Sequence, residues 1–254
     1  MTMFVGGTGT PWLRRYRPVV RPRLRLVCLP HAGGTPALFR DWPRQLPGDV
    51  DVLAVCYPGR QDRVAEPCPD SMAELAEGVA GAVEPLLDLP VVLFGHSMGA
   101  LVAYEVAARL EQGLGRAPAH LVLSAHAPPD RMPPRPPWEE GDAALLAAVR
   151  RIGGVPQEIL DNPALRALVL PAVRADYHLL GAYRPAVLPT TSAPVTVLRG
   201  ADDPMTSEAD AAAWARLTTG GFTLRTFPGD HFYLVPGERD VLIAVRDLLA
   251  RVPV

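Results

Sequence analysis

A serine between glycines, Gly95-His96-Ser97-Met98-Gly99, is followed later in the chain by an acidic pair, Asp202-Asp203, and then by His231. A serine hydroxyl becomes a useful nucleophile when an imidazole takes its proton and a carboxylate holds that imidazole in place. The glycines two before and two after Ser97 remove the Cβ atoms that would crowd a sharp turn from strand to helix. At ordinary Gly and Ser frequencies, such a pentapeptide arises by chance in about one chain in ten of this length. Its setting gives it weight. The run Val91-Val92-Leu93-Phe94 before it has the residues of a strand, and residues 100–110 after it have helical spacing.

The other two groups occupy matching places. Asp203 follows the strand-like run Val195–Arg199, at the third position after Gly200, and His231 follows Phe222–Phe227. Both stand at the carboxyl ends of strands, where open α/β sheets gather their ligands. Asp202 competes with Asp203; the third position after the glycine favours Asp203. Asp230 adjoins His231 but is poorly placed to orient it. His96 packs beside the serine, and His120, His126 and His178 are assigned to structure or to a lid. The oxyanion of an acyl-transfer intermediate needs two N–H donors. The backbone of Met98, next after the nucleophile, supplies one. The other is assigned to Ala32, in the loop Pro30-His31-Ala32-Gly33-Gly34 behind the run Leu24–Leu29. The order Ser, Asp, His is that of the α/β-hydrolase fold.

Elements able to position these residues alternate along the chain. Strands are predicted at Leu24–Leu29, Val50–Tyr57, Val91–Phe94, His120–Ser124, Val195–Arg199 and Phe222–Phe227. Helices are predicted at Ser71–Leu87, Leu101–Leu110, near Glu208–Leu217 and at Arg239–Arg251. Ser71 with Glu74 forms a capping box, and Pro85 is expected to kink or end the first of these helices near its last turn. The expected fold is α/β: a mostly parallel central sheet with helices on both faces. An inserted helical lid is expected at about 127–188, where no strand pattern occurs, with helical pieces at Ala143–Ile152, Pro163–Leu170 and Ala172–Leu180. Residues 24–254 form the domain, and 1–23 read as a flexible Arg/Pro-rich tail, or as a docking segment for an acidic partner.

Composition narrows the function classes. The 254 residues are 48% hydrophobic and 20% charged, with a net charge of -2, so a basic footprint for nucleic acid is missing. All 25 basic residues are arginine, which reflects a GC-rich coding sequence rather than a function. Cys28, Cys56 and Cys68 are odd in number and lack metal-ligand spacing, which suits a reducing cytoplasm. No apolar stretch reaches membrane-spanning length, and the N-terminus lacks a signal-peptide core. Asp70-Ser71-Met72 is similar to a carrier-protein attachment site, but Ser71 opens a covering helix and is read as its cap.

Several motifs in order carry a resemblance: Pro30-His31-Ala32-Gly33-Gly34, Tyr57-Pro58-Gly59-Arg60, the serine pentapeptide, Leu170-Pro171-Ala172-Val173-Arg174-Ala175-Asp176 and Gly229-Asp230-His231-Phe232. From about residue 24 onward the chain resembles the free-standing type II thioesterases that accompany polyketide and nonribosomal peptide synthases. The resemblance implies hydrolysis of stalled or wrong acyl groups from the phosphopantetheine arm of acyl or peptidyl carrier domains, with no metal or cofactor. It implies Ser97 as nucleophile, His231 as base and Asp203 as its orienting acid. Arg60 and Trp138 are candidate contacts with the arm or the acyl group. The oligomeric state is left open, with a monomer as the default. The rivals are a general carboxylesterase or lipase, a cyclising thioesterase, and a catalytically silent hydrolase fold serving as a binding protein.

Overall fold

Each of the six apolar runs forms a strand, and a seventh strand joins them. The computed structural model describes residues 9–133 and 141–253. The strands are β1 (Leu13–Arg15), β2 (Leu24–Leu29), β3 (Val50–Val55), β4 (Val91–His96), β5 (His120–Ser124), β6 (Val195–Gly200) and β7 (Phe222–Phe227). Their order in the sheet is β1-β3-β2-β4-β5-β6-β7; β1 runs antiparallel to β3 and every other pair is parallel. The helices are α1 (Trp42–Gln45), α2 (Met72–Val83), α3 (Met98–Leu114), α4 (Asp142–Ile152), α5 (Gln157–Asp161), α6 (Pro163–Ala182), α7 (Glu208–Ala212) and α8 (Glu238–Leu249).

Parallel strands buried on both faces carry apolar residues at successive positions, and these divide between two cores. Val27, Leu29, Leu53 and Leu93 pack with α2 and α3 on one face. Leu26, Cys28, Val52 and Phe94 pack on the other with Trp42 and with Val241, Val245 and Leu249 of α8. Phe39, Trp42 and Phe94 meet edge to face there, with centroids 4.8 to 6.0 Å apart. At the start of α2, the Glu74 N–H donates to Ser71 Oγ at 3.1 Å. The Glu74 carboxylate reaches one residue beyond the cap, to the Asp70 N–H at 2.8 Å. Pro85 falls in the 3-10 turn Glu84–Leu86 that closes this helix, as expected.

Two local expectations change. Pro163–Leu170 and Ala172–Leu180 are one continuous helix, α6, with Pro171 inside it. Proline removes one i→i−4 bond, but the face formed by Ala172, Val173, Asp176, Tyr177, Leu179 and Leu180 is buried and holds the helix together. The second change concerns the expected tail. Residues 1–8 lie outside the described residues, but Leu13–Arg15 forms edge strand β1, with Leu13 opposite Val55. Arg14 makes two 2.7 Å bonds to Asp62. Arg15 bonds Asp51 at 2.7 and 2.9 Å, and Arg23 reaches Asp49 at 3.2 Å. Three of the arginines that suggested a docking segment therefore have carboxylate partners within the chain.

Between β5 and β6, the described residues of 127–188 form helices and no strand. Trp138, at 134–140, lies outside the described residues. Among the described residues, no helix is long and apolar enough to cross a membrane.

Candidate active site

The serine is held by backbone geometry. β4 ends at His96 and α3 begins at Met98, so Ser97 alone makes the turn, with φ 54° and ψ −120°. A non-glycine residue at such a φ is strained and persists only where its surroundings enforce it. Here the Ser97 N–H donates to the Ser124 carbonyl at 2.8 Å. A Cβ on Gly95 would stand 2.0 Å from the Gly99 carbonyl oxygen, and one on Gly99 would stand 2.1 Å from that of Leu29. The spacing of the glycines is thus a steric requirement of the turn.

β6 and β7 deliver the other two groups together. Their pairing continues past the strand ends through Ala201 N–H to Phe227 O at 2.7 Å and Asp202 N–H to Gly229 O at 2.9 Å. Gly200 makes this approach feasible, since a Cβ there would lie 2.2 Å from the Asp230 carbonyl oxygen. His231 Nδ1 then lies 3.0 Å from Asp203 Oδ2, and His231 Nε2 lies 2.9 Å from Ser97 Oγ. An ionised carboxylate only accepts, so Nδ1 carries the ring proton and Nε2 accepts from the serine hydroxyl. The other Asp203 oxygen accepts the Met205 N–H at 2.8 Å, which fixes the carboxylate. Both Asp203 and His231 are buried, whereas Asp202 is exposed. Asp230 is exposed as well, and its side chain accepts the Phe232 N–H.

The oxyanion donors assigned from sequence stand beside this array. As first residue of α3, Met98 has an N–H without an intrahelical partner, at the positive end of the helix. In the loop after β2, the Gly33 N–H donates to Asp176 and the Gly34 N–H to the His31 carbonyl. No hydrogen bond among the described residues engages the Ala32 N–H. Ala32 and Ser97 line the same cleft, with His31, Leu180, Met205 and His231. The cleft opens to solvent, so a ligand can reach Ser97 from outside.

The remaining histidines have other roles. Burial lowers His31 and His126 to about 4 and holds His96 well below the usual imidazole range. His96 Nδ1 lies 2.9 Å from Ser124 Oγ, which in turn meets the Tyr233 hydroxyl at 2.7 Å, so His96 braces the turn from behind. His120 lies at the opposite end of β5, 2.9 Å from Thr196 Oγ1. Arg60 does not face the cleft: its guanidinium is buried against Asp176. Among the described residues there is no cluster of His, Cys, Asp or Glu able to hold a metal ion.

The family model for the thioesterase domain matches residues 24–248. The chain belongs to the thioesterase domain family. This thioesterase is 43% identical over 224 residues to the thioesterase PikA5 of Streptomyces venezuelae, which covers 88% of this chain and 80% of the relative. It is 37% identical over 227 residues to a probable cadicidin biosynthesis thioesterase of Streptomyces griseus, and spans 63% of that protein. Among solved structures, it is similar to the type II thioesterase BorB from the borrelidin biosynthetic cluster, with 38% identity, TM-score 0.85, and coverage of 93% of this chain and 96% of that one.

Four features of the site escaped sequence reasoning: the Ser124–Tyr233 brace, His126 in the cleft wall, the Gly154 carbonyl against His31 Nε2 at 3.1 Å, and the Arg60–Asp176 pair. The last had a signal, since both residues lie in motifs that the resemblance quotes.

Proposed function

We propose that this thioesterase hydrolyses acyl thioesters on the phosphopantetheine arm of carrier proteins, clearing aberrant or stalled acyl groups from a polyketide or nonribosomal peptide synthase. Ser97 Oγ attacks the thioester carbonyl as His231 Nε2 takes its proton. The Ala32 and Met98 N–H groups stabilise the oxyanion. On collapse the C–S bond breaks, His231 returns the proton to the departing thiolate, and an acyl-Ser97 ester remains. Water deprotonated by His231 attacks that ester, and the acid leaves with Ser97 restored. Asp203 keeps the imidazole in the productive tautomer and stabilises its charged form. The chemistry draws on protein groups alone, and the three free thiols, Cys28, Cys56 and Cys68, suit a cytoplasmic setting.

The observation that carries this assignment is the single imidazole within hydrogen-bond reach of both Ser97 and Asp203. The carrier-bound substrate is supported by the likeness to YbtT, a type II thioesterase from the yersiniabactin NRPS/PKS biosynthetic pathway, at 31% identity. The test compares kcat/KM on an acyl-carrier protein, the matching acyl-N-acetylcysteamine and the matching p-nitrophenyl ester. The carrier thioester is expected to be preferred over the free thioester. A strong preference for the oxygen ester would instead make the protein a general esterase.

A further inference from the structure

Arg60 and Asp176 lie 116 residues apart in sequence and form a paired charge within the protein, each side chain at most 5% exposed. The geometry is two-pronged: Nη1 to Oδ2 and Nη2 to Oδ1, both at 2.8 Å. Such a pair is weak as a source of stability, because the lost hydration of both ions offsets most of their attraction. What the pair holds is more informative. Asp176 Oδ2 also accepts the Gly33 N–H at 2.7 Å, and Arg60 Nη1 also donates to the Gly34 carbonyl at 3.1 Å. Arg60 Nε reaches the Pro58 carbonyl at 3.2 Å, which ties the guanidinium to the loop after β3.

The loop after β2 is therefore gripped at two residues on each side of Ala32. The Tyr57 hydroxyl donates to Pro30 O at 3.2 Å, and His31 Nε2 meets Gly154 O at 3.1 Å. Asp176 takes Gly33, and Arg60 takes Gly34. Ala32, between these anchors, keeps its N–H free of partners among the described residues. Gly33 has φ +74°, and a Cβ there would stand 2.8 Å from Val173 Cγ2, so the loop lies flush against α6.

We propose that Arg60 and Asp176 are positioning residues that aim the Ala32 N–H at the oxyanion, so that an active site requires α6 to be docked on the loop after β2. The proposal rests on the oxyanion role given above to Ala32. It gives the helical insertion a function beyond covering the cleft: α6 carries the carboxylate that sets one of the two donors. Lifting α6 away would release Gly33 and disorganise the hole.

The test uses two inhibitors of matched acyl group. A boronic acid becomes a tetrahedral anion on Ser97 and needs the oxyanion hole; an amide analogue of acyl-pantetheine fills the cleft without forming an anion. Tight boronate binding by the wild type, lost in Ser97→Ala, establishes the tetrahedral adduct on Ser97 that the oxyanion hole has to hold; its failure would remove the oxyanion assignment before the pair is questioned. The double variant Arg60→Met/Asp176→Leu removes both charges together and so avoids a lone buried ion. It is expected to lose kcat and boronate affinity in parallel, by on the order of 10–100-fold, the scale of a misplaced catalytic group, while amide affinity stays within about twofold. Asp176→Asn retains an oxygen for the Gly33 N–H and is expected to fall between. Should the double variant fail to fold, Asp176→Asn and Arg60→Lys are decided by the same ratio of boronate to amide affinity. Wild-type kcat in a folded double variant, or boronate and amide affinities falling together, would overturn the positioning role.

Discussion

Asp202 and Asp203 are chemically alike and adjacent, yet only Asp203 meets His231. Asp202 is exposed, and its N–H serves the pairing between the loops. Asp203→Asn is expected to lower kcat by about 10³–10⁴-fold, since an amide favours the wrong imidazole tautomer. Asp202→Asn is expected to stay within about twofold, as befits an exposed substitution away from the reacting atoms. Steady-state kinetics on one thioester checks both, and the reverse ranking would move the acid by one residue. Ser97, Asp203 and His231 were legible in the sequence because each follows a strand whose end must lie on one rim. The pairing of Arg60 with Asp176 was not: their motifs marked both residues, but nothing in either says that they meet, and burial of an arginine is set by the distant group that pairs with it.

Strand and helix order was legible because parallel strands are apolar on both faces and helices keep their spacing. Short elements lack that signal. β1 has three residues, two of them arginine, and it is a strand because Arg14 and Arg15 find Asp62 and Asp51 once β3 is beside it. Its anchor is also tertiary: a Cβ on Gly78 of α2 would stand 2.2 Å from the Trp12 ring, over which the Arg63 guanidinium lies at 4.3 Å. Gly78→Ala should therefore displace Trp12 and cost roughly 1–3 kcal/mol, the usual scale of overpacking. Urea melts check the loss, and hydrogen exchange at Leu13–Arg15 should rise. An unchanged midpoint with unchanged exchange would show that β1 is not held by this contact. At the turn around Ser97, Gly99→Ala faces backbone of β2 rather than a side chain that can yield. It is expected to abolish activity or prevent folding; a folded variant with wild-type kcat would contradict the steric account.

Across the whole molecule, burial holds four imidazoles neutral: His31, His120 and His126 at about 4, and His96 well below its ordinary value. The unfolded chain takes up those protons near pH 6.5, before the folded one does. Between pH 6.5 and 4 it therefore binds more protons, and stability falls with falling pH, by roughly 1 kcal/mol per pH unit for a fully buried histidine. Urea midpoints should drop from pH 7 to pH 5, and His120→Gln, far from Ser97, should flatten that slope. Equal midpoints at the two values would contradict the sign. The central claim, that Ser97 takes the acyl group from a carrier-bound thioester, is tested most directly by rapid quench of the enzyme with one equivalent of acyl-carrier protein, followed by peptide mass analysis. The expected result is an acyl mass on the peptide containing Ser97, which forms and decays at rates consistent with turnover and is absent in Ser97→Ala. Acid released by Ser97→Ala at the wild-type rate, or an acyl group found on another residue, would contradict it.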